Sequence, residues 1–230
     1  MTGSVGSGKS TTLAAFVEEI NRARRDHIIT LEDPIEYVFK PAGCHITQRE
    51  VHTHTKSFAT ALRAALREDP DVIMVGEMRD LETMALALTA AETGVLVFGT
   101  LHTNSARKTV DRIIDVFPAD QQPLVRTMLA ASLRGVVAQL LLKKADGKGR
   151  VAVNEILIAN TAVSAIIREG RTEKLLDVLA SGRSEGMQAM DDAIMKNLQE
   201  GVVSPVEAYM KAIEKVRFEK FLPDRSHIAT

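Results

Sequence analysis

Apolar positions along the chain follow two rhythms. Short apolar runs occur at Val72–Val75 and Val95–Phe98, and a short β-branched run at His27–Leu31. They are too short for helices, are rich in β-branched residues and end in polar clusters, which predicts buried strands. Between them the apolar residues recur with helical spacing. Thr11–Arg25 reads as one helix, and Leu81–Thr93 as another stopped by Gly94. Ser57–Glu68 is a third, with Phe58, Leu62, Ala65 and Leu66 on one face. Strands alternating with helices predict an α/β fold with a parallel sheet. Residues 38–56 show neither period and are expected to be irregular or hairpin-like. From Ala106 the pattern changes to two amphipathic helices, about 106–115 and 121–134. Two strands follow, 136–143 and 151–158, joined by Asp146-Gly147-Lys148-Gly149. Further helices are expected to start at Thr161, Thr172 and Ser204. The last has Pro205 at its first position and Glu207 three residues on, the pattern of a capping box. The expected division is an α/β core over 1–158 and a mostly helical region over 159–230.

The predicted strand ends carry the chemistry. Gly3-Ser4-Val5-Gly6-Ser7-Gly8-Lys9-Ser10 is a complete phosphate loop, with Thr11 opening the helix behind it. Its glycines let backbone N–H groups turn toward a polyphosphate, Lys9 supplies a point charge for the β- and γ-phosphates, and the Ser10 hydroxyl suits Mg²⁺. The first strand runs into Glu32-Asp33-Pro34-Ile35-Glu36, the second into Gly76-Glu77, and the third into Thr100-Leu101-His102-Thr103-Asn104-Ser105. In a parallel sheet these C-terminal edges are where ligands bind. Four apolar residues followed by an acid form a Walker B pattern, with Glu77 placed to orient water or hold Mg²⁺. Taken alone, Glu32–Glu36 would read as a solvated acidic turn and His102 as a structural histidine. Their position beside a phosphate loop favours the functional reading.

Composition narrows the field. In 230 residues, 29 Lys and Arg balance 30 Asp and Glu, and no basic tract points to nucleic acid. The single cysteine, Cys44, rules out a disulfide framework and a multi-cysteine zinc site, and a reducing cytosol is the natural compartment. His45, His52 and His54 lack ligand partners of recognised spacing and are expected to be loop histidines. The longest apolar stretches, such as Gly135–Leu142, are too short to cross a bilayer.

By residue 105 these motifs resemble one family, the secretion-type ATPases that drive type II secretion and type IV pili. Leu66–Asp80 is similar to the family's signature around its Walker B acid, Thr30–Glu36 to its Asp box and Thr100–Ser105 to its His box. Gln48-Arg49-Glu50-Val51, Asp115-Val116-Phe117-Pro118 and Gly186-Met187-Gln188 look like the PilT-type retraction motors within it. The resemblance implies a RecA-like P-loop NTPase core that hydrolyses ATP with Mg²⁺. It implies a homo-hexamer, peripheral to the cytoplasmic face of the bacterial inner membrane, that acts on a pilus through a membrane platform protein. Carried over by position, Gly3 to Thr11 contact nucleotide, Ser10 and Glu77 serve the metal, and Glu36, Glu77, Glu32, Asp33 and His102 form the catalytic set.

The chain also departs from the family pattern. Val95 stands where the His box opens with histidine, and Ser164 and Ala165 replace an Arg and an Asn of a helical motif. Only Met1 and Thr2 precede the phosphate loop, so the strand before it and the family's PAS-like N-terminal domain are expected to lie outside this chain. Alternative readings are a catalytically weak paralogue acting as a binding or regulatory subunit, and a type II secretion or pilus assembly ATPase. A RecA-like nucleic-acid motor would require basic DNA-contacting loops, which the sequence lacks.

Overall fold

The structure, a computed structural model, describes residues 1–223. The core alternates as α1 (Lys9–Ala23), β1 (His27–Glu32), β2 (His45–Glu50), α2 (Phe58–Ala65), β3 (Val72–Val75), α3 (Leu81–Glu92) and β4 (Leu96–Gly99). The strands form one parallel sheet in the order β2-β1-β3-β4. Its two faces follow from the two-residue period of a strand. Ile28, Val72 and Met74 pack on Leu13 and Val17 of α1. The alternate residues Ile29, Leu31, Ile73 and Val75 pack on Ala61, Leu62 and Ala65 of α2 and Ala87 of α3. Burial on both faces explains why β3, inside the sheet, reads as an unbroken apolar run.

Register positions the chemistry. Leu31 pairs with Val75, and Val75 with Gly99, so the three apolar strands end in one row. The residues that follow, Glu32, Glu77 and the segment from Thr100, therefore emerge side by side.

Residues 45–50 differ from the expectation. They form neither an irregular segment nor a hairpin but a parallel edge strand, paired with β1 from His27–His45 to Glu32–Glu50. His-Ile-Thr-Gln-Arg-Glu carries one aliphatic residue because an edge strand buries little, and its polar side chains serve the neighbouring loop instead.

Met1 and Thr2 lie inside the sheet. Thr2 bridges in parallel to both Leu101 and Ala138. Its N–H donates to the Val137 carbonyl at 2.8 Å, and its carbonyl accepts from Gln139 N–H at 2.9 Å. The two residues thus connect the parallel sheet to an antiparallel hairpin, β5 (Gly135–Lys143) and β6 (Arg150–Ile158). Beyond Met1, β4 and β5 face each other across an apolar cavity of 610 Å³.

The hairpin organises the rest. Val136 and Leu157 pack with α4 (Ala106–Asp115), α5 (Gln122–Ser132), α6 (Thr161–Glu169) and α7 (Leu175–Ser181). Ala138, Leu142 and Val153 pack with α8 (Met190–Gln199), α9 (Pro205–Lys211) and α10 (Val216–Glu219). Hydrophobic packing therefore runs across residue 158, and residues 224–230 of the helical region lie outside the described part. The start at Thr172 is a short 3-10 turn leading into α7. Ser204 caps α9 as expected, accepting from Glu207 N–H. The Glu207 carboxylate does not complete the box, because it accepts from Lys143 N–H in β5. The pattern gave no start for α8, whose N-cap is Ala189 with no side-chain cap. Glu155 of β6 lies near this end of α8, where the Met190 backbone opposes the rise that burial gives its pKa.

Candidate active site

Residues 3–8 form the phosphate loop, and α1 starts at Lys9, two residues before the expected start. Gly3, Gly6 and Gly8 all have positive φ (145°, 73° and 84°), which L side chains rarely adopt. The loop runs straight into the helix, so α1 points its positive N-terminal end at whatever the loop holds. Lys9 Nζ arches across the loop to the carbonyls of Gly3 (2.9 Å) and Ser4 (3.0 Å). Burial lowers its pKa, and the charges of Glu77 and Glu36 partly offset that.

Lys9, Ser10, Glu32, Asp33, Glu36, Glu77 and His102 line one cavity of 310 Å³, together with Arg79 and Thr100. The apolar cavity beside Met1 is larger but holds none of these acids. Ser10 Oγ donates to Glu36 Oε1 at 2.9 Å, and Thr11 and Tyr37 share a hydroxyl–hydroxyl bond of 2.8 Å. The acidic segment after β1 is thus drawn onto the start of α1. Edge strand β2 holds it from behind: Glu50 accepts from Ile35 N–H at 2.9 Å, and Gln48 accepts from Phe39 N–H and donates to the Tyr37 carbonyl. Glu32 is buried and pinned by Thr30 (2.7 Å) and Gln48 (3.1 Å), while Asp33 and Glu36 are exposed.

Glu77 sits opposite. His102 Nε2 lies 2.6 Å from its Oε1, and Arg79 bonds the same carboxylate. Burial alone would raise the Glu77 pKa. The hydrogen bonds from Arg79 and His102 outweigh that and hold the carboxyl below its ordinary value. Thr100 ties the third strand end to the second by donating to the Gly76 carbonyl.

The structure thus brings the phosphate loop and all five candidate acid and histidine positions to one cavity. Within it, the carboxylate touching Ser10 is Glu36, whereas Glu77 is engaged by Arg79 and His102. A hydroxyl and a carboxylate in contact, with more acids nearby, suit Mg²⁺, which binds one or two carboxylates along with phosphate oxygens and water. Among the described residues no group of three or more His, Cys, Asp or Glu is placed to hold a metal by itself. His45 lies on β2, and His52 and His54 lie in the turn that follows it. Arg79, Gln48 and Glu50 stand in family-like stretches of the sequence, but the motifs assign them no role in the site. Arg79 could have been suspected from standing two residues after Glu77, whereas the support from Gln48 and Glu50 becomes visible only once β2 is known to pair with β1.

The sequence profile of the Type II/IV secretion system protein family matches residues 1–217. The chain belongs to that family. Across 92% of its length this family member is 57% identical to a twitching motility protein of Neisseria gonorrhoeae. Across 92% it is 53% identical to the type IV pilus retraction ATPase PilT of Pseudomonas aeruginosa. It spans 57% and 61% of those two relatives. The crystal structure of the pilus retraction motor PilT with bound ADP superposes on 95% of the chain with a TM-score of 0.88, at 50% identity and over 62% of that chain. At this similarity the α/β fold is the RecA-like ATPase core of the family.

Proposed function

We propose that this chain is the ATP-hydrolysing domain of a type IV pilus retraction motor. The observation that carries the reading is the single 310 Å³ cavity in which a complete phosphate loop faces Glu36, Glu77 and His102. The loop N–H groups would receive the polyphosphate, and Lys9, now on the Gly3 and Ser4 carbonyls, would supply a point charge to its β- and γ-phosphates. Ser10 and Glu36 would hold Mg²⁺, with Glu77 in the same cavity, and the metal would neutralise charge on the transferring phosphoryl group. Glu77, oriented by His102 and Arg79, positions the water that attacks the γ-phosphorus in line as the bond to the β-phosphate oxygen breaks. Glu32 and Asp33 shape the acidic wall.

The printed names of the relatives, twitching motility and pilus retraction, support a pilus motor, and the family resemblance carries the wider reading. Subunits assemble as a homo-hexamer at the cytoplasmic face of the inner membrane and act on a pilus through a platform protein. No helix among the described residues is long and apolar enough to cross a membrane. The deciding experiment measures Mg-nucleotide binding and phosphate release for the wild-type chain and for Lys9→Ala. Nucleotide affinity that survives Lys9→Ala with an unchanged melting curve would overturn the assignment.

A further inference from the structure

Gln139 interrupts the apolar run Val136-Val137-Ala138-Gln139-Leu140-Leu141-Leu142 of β5. It is 3% exposed, yet every polar group of its side chain has a partner on the phosphate-loop unit. Nε2 donates to the Ser7 carbonyl at 2.7 Å, and Oε1 accepts from the Thr12 hydroxyl of α1 at 2.8 Å. A main-chain carbonyl can only accept, so the amide nitrogen must face Ser7 and the oxygen must face Thr12. Its backbone N–H donates to Thr2, just before the loop. The approach is close enough to dictate glycine on both sides. A Cβ at Gly3 would meet the Gln139 carbonyl at 2.4 Å, and one at Gly8 would meet Gln139 Nε2 at 2.9 Å.

We propose that Gln139 is a positioning residue for nucleotide phosphates, acting through the Ser7–Gly8 peptide. A trans peptide is planar, and its C=O and N–H point in opposite directions. Pinning the Ser7 carbonyl to β5 therefore turns the Gly8 N–H to the other side of the loop. Thr12 fixes which way the amide faces, so the loop and the first turn of α1 are set by one side chain. Gly8 itself is at φ 84°, a conformation with no stabilising side chain of its own. With Gln139 absent, that peptide is free to rotate, and only a fraction of molecules present an ordered cradle. Apparent affinity falls by that fraction.

The inference rests on the proposed nucleotide-binding function, and the test separates the two. Binding of Mg-ADP and Mg-ATP is titrated for wild type, Gln139→Met, Gln139→Glu and Thr12→Val, with steady-state kcat and KM and a ligand-free melting curve for each. Gln139→Met conserves volume in an apolar strand, so a residue that merely fills the core would tolerate it with unchanged affinity. The positioning role predicts Kd and KM raised about tenfold, the equivalent of one lost hydrogen bond in loop order, with kcat at saturation changed far less. Gln139→Glu retains the acceptor for Thr12 but loses the donor to Ser7, and it is expected to bind as weakly as Gln139→Met. Thr12→Val keeps shape and frees the amide to turn, giving a smaller loss. Thr12→Val also remains informative if both Gln139 variants fail to fold: unchanged affinity there overturns the proposal. Wild-type affinity in a folded Gln139→Met overturns it too, while leaving the nucleotide site standing. A wild-type chain that binds no nucleotide overturns both.

Discussion

Ser10 and Glu36 are joined by a 2.9 Å hydrogen bond from the first turn of α1 to the loop after β1. In the proposed site these two groups would share a hydrated Mg²⁺. Glu36→Gln preserves an acceptor for Ser10 but removes the negative charge. The Mg²⁺ concentration needed for half-maximal nucleotide binding is expected to rise roughly tenfold, in the range seen when metal-supporting partners are lost. A Mg²⁺ titration at fixed nucleotide reads this directly, and an unchanged midpoint would assign the metal to other groups.

Glu77 is held on the far side of the cavity by Arg79 and His102. Glu77→Gln keeps the shape and both neighbours, so nucleotide binding should persist while hydrolysis falls roughly a hundredfold or more. Comparing single-turnover rates with nucleotide affinity separates these effects. Wild-type turnover in the variant would move the water-positioning role to Glu36, whose Gln variant is the paired control.

The Glu77 carboxyl also gives a pH prediction. Its pKa is depressed in the folded state, so its favourable contribution is complete above the unfolded value, about 4.3. That contribution is lost as pH falls through the lower folded value. Carboxyl NMR should show Glu77 titrating below an ordinary glutamate, and His102→Ala should move it upward by removing one of its two hydrogen-bond donors. A Glu77 titration unmoved by His102→Ala would dissociate the pair.

Glu155 makes the opposite case. It is 3% exposed and accepts from Ala106 N–H at 2.7 Å, holding the first residue of α4 from the strand. Burial raises its pKa despite that bond. The stabilising contribution is therefore full below the unfolded value and declines as pH rises through the folded one. Glu155→Leu strands the buried Ala106 N–H at about 1–3 kcal/mol, and its melting temperature should drop. Glu155→Gln retains an acceptor, should melt much closer to wild type and should lose the pH-dependent component. Equal melting of the Leu variant and wild type would show that the bond to Ala106 is dispensable.

The phosphate loop, the apolar strands and the acids that end them were legible in the sequence, because each is written in a local pattern. Gly3 to Ser10 needs only eight consecutive residues, and β3 declares itself as Val72–Val75 since both its faces are buried. The order of those strands, and the alignment of Leu31, Val75 and Gly99 that brings Glu32, Glu77 and His102 to one cavity, came from pairing between distant segments. β2 escaped because an edge strand in contact with a polar loop carries no apolar period, and α8 escaped because its N-cap, Ala189, has no capping side chain. Gln139 belongs to the same class. Locally it is one polar residue in an apolar strand, and only the packing of β5 against the chain's first turn places its amide on Ser7 and Thr12. Short-range sterics and burial set the elements; hydrogen bonds between residues more than a hundred positions apart shaped the site.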